Sequence, residues 1–223
     1  MLKYKDPTIA VVDSGIGGIS ILRTLIDKFH AGNFIYVADN QYMPYGNKSK
    51  KMIKNRVEHI IDMLQTKYNV DIIVLACNTA SSSIDKKPDN IITMKFETND
   101  IYLATKLTKS NIKSDKVIVD HSLASQIEKY IMEPKILKSL IKQKVLKYKL
   151  NDLSSLVLGC THYELVKDMF ISLCPNTKII NNSDFIINNF DNISFSNNDI
   201  NVGIILSKYS DKYYNKIIKL INR

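Results

Sequence analysis

A chain of 223 residues with 45% apolar side chains is long enough for one large domain or two small ones around a buried core. Its longest apolar runs, such as Ile72–Cys77, fall far short of the roughly 18 residues that cross a bilayer as a helix, and the opening MLKYKDPTIAVVDSG lacks the apolar segment and small-residue cleavage site of an export signal, so no membrane partner and a cytoplasmic location are expected. The formal charge of +9 is concentrated between Lys106 and Lys149, where eleven lysines face four acids, but no aromatic stacking platform or nucleic-acid motif accompanies it; a solvated lysine face is preferred and a nucleic-acid partner disfavoured.

In chain order, short β-rich apolar runs alternate with helical patterns, the signature of parallel sheets flanked by helices. Strands are predicted at Thr8–Val12, Phe34–Ala38, Asp71–Ala76, Ile101–Ala104, Lys116–Val119, Ser155–Leu158, Lys178–Ile180 and Val202–Leu206. Between the first three, Ile19, Leu22, Leu25, Ile26 and Phe29, and then Met52, Ile53, Val57, Ile60, Ile61 and Leu64, recur at helical spacing. Residues Ile131–Leu150 read as a lysine-studded helix with Pro134 near its start, and a further helix carries Leu165, Val166, Met169 and Phe170. Seven asparagines between Asn181 and Asn198 argue for a surface connection there. The fold class expected is α/β, with two pseudo-symmetric parallel-sheet domains and the active site in the cleft between them: residues 1–96 plus 190–223 form the first domain and 97–189 the second, the last strand and helix returning to the first sheet.

In open parallel sheets ligands bind beyond the carboxyl ends of the strands, so the residues after each strand are the candidates. Asp13-Ser14-Gly15-Ile16-Gly17-Gly18 follows the first strand; its glycines permit a tight turn with exposed amides suited to a carboxylate or phosphate, the alternative being that Asp13 and Ser14 merely cap the next helix. The spacing fits neither the dinucleotide fingerprint nor the P-loop, so no nucleotide cofactor is expected. Met43-Pro44-Tyr45-Gly46 is a second, turn-like loop that could aim amides at an anion.

Leu75-Ala76-Cys77-Asn78-Thr79-Ala80-Ser81 and Leu158-Gly159-Cys160-Thr161-His162-Tyr163 are the informative pair: each is an apolar strand ending in cysteine, then polar side chains, then a helix whose N-terminus is expected to lower the thiol pKa. Three cysteines without a scaffold spacing argue for reduced thiols. Two matched strand-end cysteines favour acid/base work over packing, whereas Cys174, before Pro175, reads as packing. His162 either exchanges protons with Cys160 or faces solvent at a helix start. A Cys-x-His pair is a poor chelate, so no metal is expected, and a Cys–His hydrolase would leave the second cysteine unexplained.

Together the segments IAVVDSGIGGIS, YVADNQYMPYGNKS, IIVLACNTASS and LVLGCTHYELV resemble, in order, the glutamate racemase family of the aspartate/glutamate racemase group. The resemblance is dense over residues 8–82 and 155–166. It implies a cofactor-independent isomerase, without pyridoxal phosphate, acting on the small-molecule substrate glutamate and supplying D-glutamate for peptidoglycan; a homodimer stays open. By that likeness Cys77 deprotonates D-glutamate and Cys160 L-glutamate, Asp13 assists Cys77 and His162 assists Cys160. Ser14, Asn78, Thr79 and Thr161, with Pro44, Tyr45 and Gly46 of the loop, hold the substrate, and Glu128 in SQIEKY aligns loosely with a family acid. The chain departs from the family between Ser83 and Ile101, where it is shorter and part of the substrate enclosure is expected to be missing; it also has Asp120-His121 in place of a Cys-Pro pair and Glu164 in place of a proline. A racemase for another acidic amino acid such as aspartate, and a catalytically weakened relative that binds or regulates through the Lys106–Lys149 surface, are the alternatives.

Overall fold

The segment Thr8–Asp13 (β2) is a run of six residues of which five are buried, which requires that both faces of its sheet be covered. The computed structural model, which describes residues 4–85, 87–94, 100–110, 112, 116–185 and 187–222, shows how. After the two-residue strand Tyr4–Lys5 (β1) and then β2, the chain runs through helix Ile19–Phe29 (α1), strand Gly32–Ala38 (β3), helix Lys50–Tyr68 (α2), strand Ile72–Leu75 (β4), the single turn Asn78–Ser81 (α3) and strand Ile91–Thr93 (β5). A second series follows: strand Ile101–Ala104 (β6), turn Lys106–Lys109 (α4), strand Val117–Val119 (β7), helices Leu123–Tyr130 (α5) and Pro134–Tyr148 (α6), strand Ser155–Gly159 (β8), turn Thr161–Glu164 (α7), helix Lys167–Leu173 (α8) and strand Lys178–Asn181 (β9). The chain closes with Ile193–Ser194 (β10), Ile200–Leu206 (β11) and helix Asp211–Ile221 (α9).

The strands assemble into a five-stranded sheet in the order β11-β3-β2-β4-β5 and a four-stranded sheet in the order β7-β6-β8-β9, with a small β1-β10 pair besides. Every pairing is parallel. Strand alternation sorts the core: Ile9 and Val11 pack with Ile19, Leu22 and Leu25 of α1, while Ala10 and Val12 pack with Ile53, Val57, Ile60 and Leu64 of α2. The same period carries past the strand ends. Cys77 continues the Ile73–Leu75 face toward α2, and Cys160 continues the Leu156–Leu158 face into the larger cluster under α5 and α6.

In each sheet the chain first steps to one side of its central strand and then returns to the other, from β2 to β3 and then β4, and from β6 to β7 and then β8. That reversal opens a crevice at the carboxyl ends of the two central strands. Cys77 stands at the end of β4 beside the turn after β2; Cys160 stands at the end of β8 beside Thr105, which follows β6. The two thiols therefore occupy equivalent positions in two sheets of the same winding.

All eight predicted strands are present, and Val202–Leu206 lies within β11, paired with β3. The helix expected over Ile131–Leu150 begins only at Pro134, where its missing N–H costs nothing, and a separate helix, α5, precedes it. The asparagine-rich stretch is more than a surface connection: Phe190 is fully buried in the main core and the Ser183 amide donates to Glu164 Oε1 at 3.1 Å. The domain boundary expected between 96 and 97, and most of the MKFETND segment, fall on residues 95–99, outside the described residues. Among the described residues no helix is long and apolar enough to cross a membrane.

Candidate active site

The crevices of the two sheets open onto one cavity of about 310 Å³. Cys77 and Cys160 both line it, together with Ser14, Pro44, Tyr45, Gly46, Asn78, Thr79, Thr161 and His162. Of the residues expected to act in catalysis or to hold the substrate, only Asp13 is absent from the wall. It lies behind it, 1% exposed, and its Oδ2 accepts the Thr161 hydroxyl at 3.0 Å, tying the turn after β2 to the turn after β8. Across the cavity the Thr79 and Thr105 hydroxyls meet at 3.3 Å, a second tie between the halves.

The glycine turn does something other than cradle an anion. Asp13 Oδ1 takes the Gly15 amide at 2.8 Å and Glu128 Oε2 takes the Ile16 amide at 3.0 Å, so these N–H groups are already bound to the protein's own carboxylates. Neither Asp13 nor Ser14 caps α1, whose N-cap is Gly18 with no side-chain bond. Nor does the turn need a left-handed backbone, because Gly32 is the glycine with positive φ. It needs space: a Cβ on Gly17 would stand 2.4 Å from Thr161 Oγ1, and one on Gly18 2.8 Å from Asp13 Cβ.

The expected lowering of the thiol pKa is overturned at Cys77. Burial and the neighbouring Asp13 carboxylate push it up to about 12, against which the Ala80 amide and the Ser14 hydroxyl, 3.8 Å from the sulfur, pull only weakly. The helix invoked for that lowering, α3, is a single four-residue turn, too short for its aligned peptides to offset desolvation. Cys77 therefore holds its proton at neutral pH.

On the Cys160 side the buried charges are paired with one another. His162 is 5% exposed, which excludes the solvent-facing alternative, and its Nε2 lies 2.9 Å from Glu128 Oε2. Burial disfavours its charge, but hydrogen bonds with Cys160 and Glu128 outweigh burial and raise its pKa well above the usual histidine value. Glu128, which burial alone would raise, is drawn down to about 2 by His162 and Lys216. The result is an imidazolium held between the Cys160 sulfur and the Glu128 carboxylate. Asp13 is raised by burial, with His162 drawing it back.

A rigid support underlies the Tyr45 loop. Asp39, fully buried, accepts two bonds from Arg56, at 2.9 and 2.8 Å, and one from the Tyr45 hydroxyl at 2.5 Å, while the Met43–Pro44 peptide is cis. The sequence reading missed Thr105, Ser125, Lys129, Tyr213 and Lys216, which also line the cavity, and assigned no role to Asp120 or His121, which do so too. Only the position of Thr105 and Lys106 just after β6 was a usable signal. Cys174 is 1% exposed in the core, as expected. No described residue between 83 and 101 lines the cavity. Among the described residues no group of three His, Cys, Asp or Glu side chains could hold a metal ion.

No protein-family model matches the chain. It is similar to the glutamate racemase of Clostridium acetobutylicum, 30% identical over 210 residues that cover 82% of each chain, and to that of Photorhabdus laumondii, 30% identical over 213 residues that cover 80% of this chain and 72% of the relative. Among solved structures, the Thermus thermophilus glutamate racemase in complex with beta-chloro-D-alanine superposes with a TM-score of 0.80 at 19% identity, over 98% of this chain and 94% of that one. The Escherichia coli glutamate racemase in complex with L-glutamate and the activator UDP-MurNAc-ala does so at 0.75 and 21%, over 96% and 95%. Paired α/β sheets and these curated relatives define an amino-acid racemase, an isomerase. The chain belongs to the glutamate racemase family.

Proposed function

We propose that the protein interconverts L- and D-glutamate by proton transfer between two thiols, Cys77 and Cys160, acting on opposite faces of the α-carbon. The observation that supports it most is the presence of both sulfurs on one small cavity, each at the switch point of its own sheet. One thiolate takes the α-proton, leaving a carbanion whose charge spreads into the carboxylate, and the opposite thiol delivers its proton to the other face; the enzyme ends with the two protonation states exchanged. Cys77, held as a thiol, suits the acid in the direction that starts from L-glutamate, with Cys160 as base beside the His162 imidazolium.

Ser14, Asn78, Thr79 and Thr161, with the Pro44-Tyr45-Gly46 loop, line the cavity as hydroxyl, amide and backbone donors for the substrate's charged groups and for the charge that develops during proton removal. Asp13 orients Thr161 from behind the wall and faces Cys77 electrostatically. The chain divides, on this reading, into domains 1–96 plus 190–223 and 97–189 that meet at the cavity, and its product serves peptidoglycan synthesis.

Assay of purified protein for racemisation of L-glutamate and of L-aspartate, without added cofactor, is the test. Activity on glutamate that is abolished by Cys77→Ser and by Cys160→Ser agrees with the proposal; full activity in either variant rejects the two-thiol mechanism, and inertness toward both amino acids rejects the racemase reading.

A further inference from the structure

Helix α9 sends two side chains to the cavity, Tyr213 and Lys216, to which the two-thiol mechanism gives no task. Lys216 places its Nζ 2.8 Å from Glu128 Oε1 and 2.6 Å from the Glu128 carbonyl oxygen. That carbonyl lies in the last turn of α5, where the backbone acceptors have no intrahelical donor and a cation is favoured. The ammonium is thus fixed at two points. The other carboxylate oxygen, Oε2, receives the Ile16 amide and faces His162 Nε2. One carboxylate therefore joins the C-terminal helix, the turn after β2 and the turn that follows Cys160. The pair is largely withdrawn from water, with Lys216 17% and Glu128 6% exposed, so desolvation consumes much of its attraction and it makes a poor device for stability alone.

We propose that Lys216 is a positioning residue: it fixes the Glu128 carboxylate against His162, so that docking of the C-terminal helix sets the reactivity of the Cys160 thiol. Other titratable groups face this relay from the elements around it: Asp13 at the end of β2, Tyr36 from β3, Tyr213 from α9, Tyr163 from α7 and Cys77 across the cavity. All of these are acids, and Lys216 supplies the ammonium in contact with Glu128. Removing that positive charge weakens every anion near it and frees the carboxylate to share the imidazole proton; both effects disturb the hydrogen bond by which His162 holds the Cys160 sulfur. The inference deepens the racemase reading, since Cys160 is one of its two bases, but the contact itself needs no substrate.

The experiment is timed alkylation of the full chain with iodoacetamide across neutral pH, with each cysteine followed by mass spectrometry and glutamate racemisation assayed in parallel. Lys216→Ala and the length-preserving Lys216→Gln are each expected to slow alkylation of Cys160 about tenfold at neutral pH, the effect of losing a nearby charge, while Cys77 changes little. Lys216→Arg restores the rate, and Lys212→Ala, an exposed position on the same helix, leaves it unaltered. An unchanged Cys160 rate in Lys216→Gln overturns the proposal, and so does an equal change at Cys77 and Cys160, which marks general loosening. If Cys160 responds as expected in a protein inert on glutamate, the coupling stands and the racemase reading fails; if glutamate is racemised and Cys160 does not respond, the coupling alone fails.

Discussion

A Cβ built on Gly17 would lie 2.4 Å from Thr161 Oγ1 and 2.7 Å from His162 Nδ1, so no side chain fits there without displacing the two residues that follow Cys160. Gly17→Ala is expected to lower turnover about a hundredfold, the cost of shifting positioned groups by a fraction of a bond length, and to cost about 1–3 kcal/mol of stability, because the His162 backbone nitrogen is only 2.9 Å away. Wild-type turnover in that variant would show that the close approach is incidental. Glu128 makes a second residue-level prediction. Its folded pKa, about 2, lies below the ordinary glutamate value of 4.5, so its contribution to stability is complete above about pH 4.5 and is lost as pH falls toward 2. Denaturant titrations of Glu128→Gln should therefore lose part of the acid limb seen in the native sequence. The motifs around Asp13, Cys77 and Cys160 were legible because chemistry after a strand end leaves a local mark: cysteine, hydroxyls and glycine in a few consecutive positions. Glu128 and Lys216 leave no such mark. Each is one charged residue on an amphipathic helix, and only the packing of α5 against α7 and of α9 against α1 brings them to His162.

At the scale of elements, the parallel strands were readable because burial on both faces demands continuous apolar runs, and those runs are interrupted by polar residues where the strands end. Helix α5 was not, since its eight residues lie close to Pro134 and its buried Leu123 and Ile127 give only one turn of helical spacing before the next element begins. The thiol pKa expectation failed for a related reason: the sequence predicts a helix after Cys77 but not its length, and a four-residue turn cannot overcome burial. Two elements can be tested directly. Ser210 caps α9 by accepting the Tyr213 amide at 3.2 Å, so Ser210→Ala should cost about 1 kcal/mol of stability by denaturant unfolding. Leu64, fully buried where α2 covers the first sheet, should cost about 2–5 kcal/mol when cut to Ala. A negligible loss at Leu64 would mean that α2 does not seal the face on which Cys77 lies.

At the scale of the whole molecule, two sheets wound alike present their switch points to one another, and four of the ties that cross between them, Thr161 to Asp13, Thr79 to Thr105, Ile16 to Glu128 and Lys216 to Glu128, lie at the cavity. This arrangement explains why a cavity of about 310 Å³ survives although no described residue of the shortened stretch between 83 and 101 contributes to its wall. A small amino acid needs little more than the two strand ends and the loops beside them. On the proposed two-thiol mechanism each half offers a thiol to one face of the same carbon, so that either enantiomer can serve as substrate. The most direct measurement is racemisation of L-glutamate in deuterated water, sampled early. Two opposed thiols predict that the D-glutamate formed carries one α-deuteron while the remaining L-glutamate keeps its α-proton; equal early labelling of both enantiomers, or no exchange at all, would contradict the account.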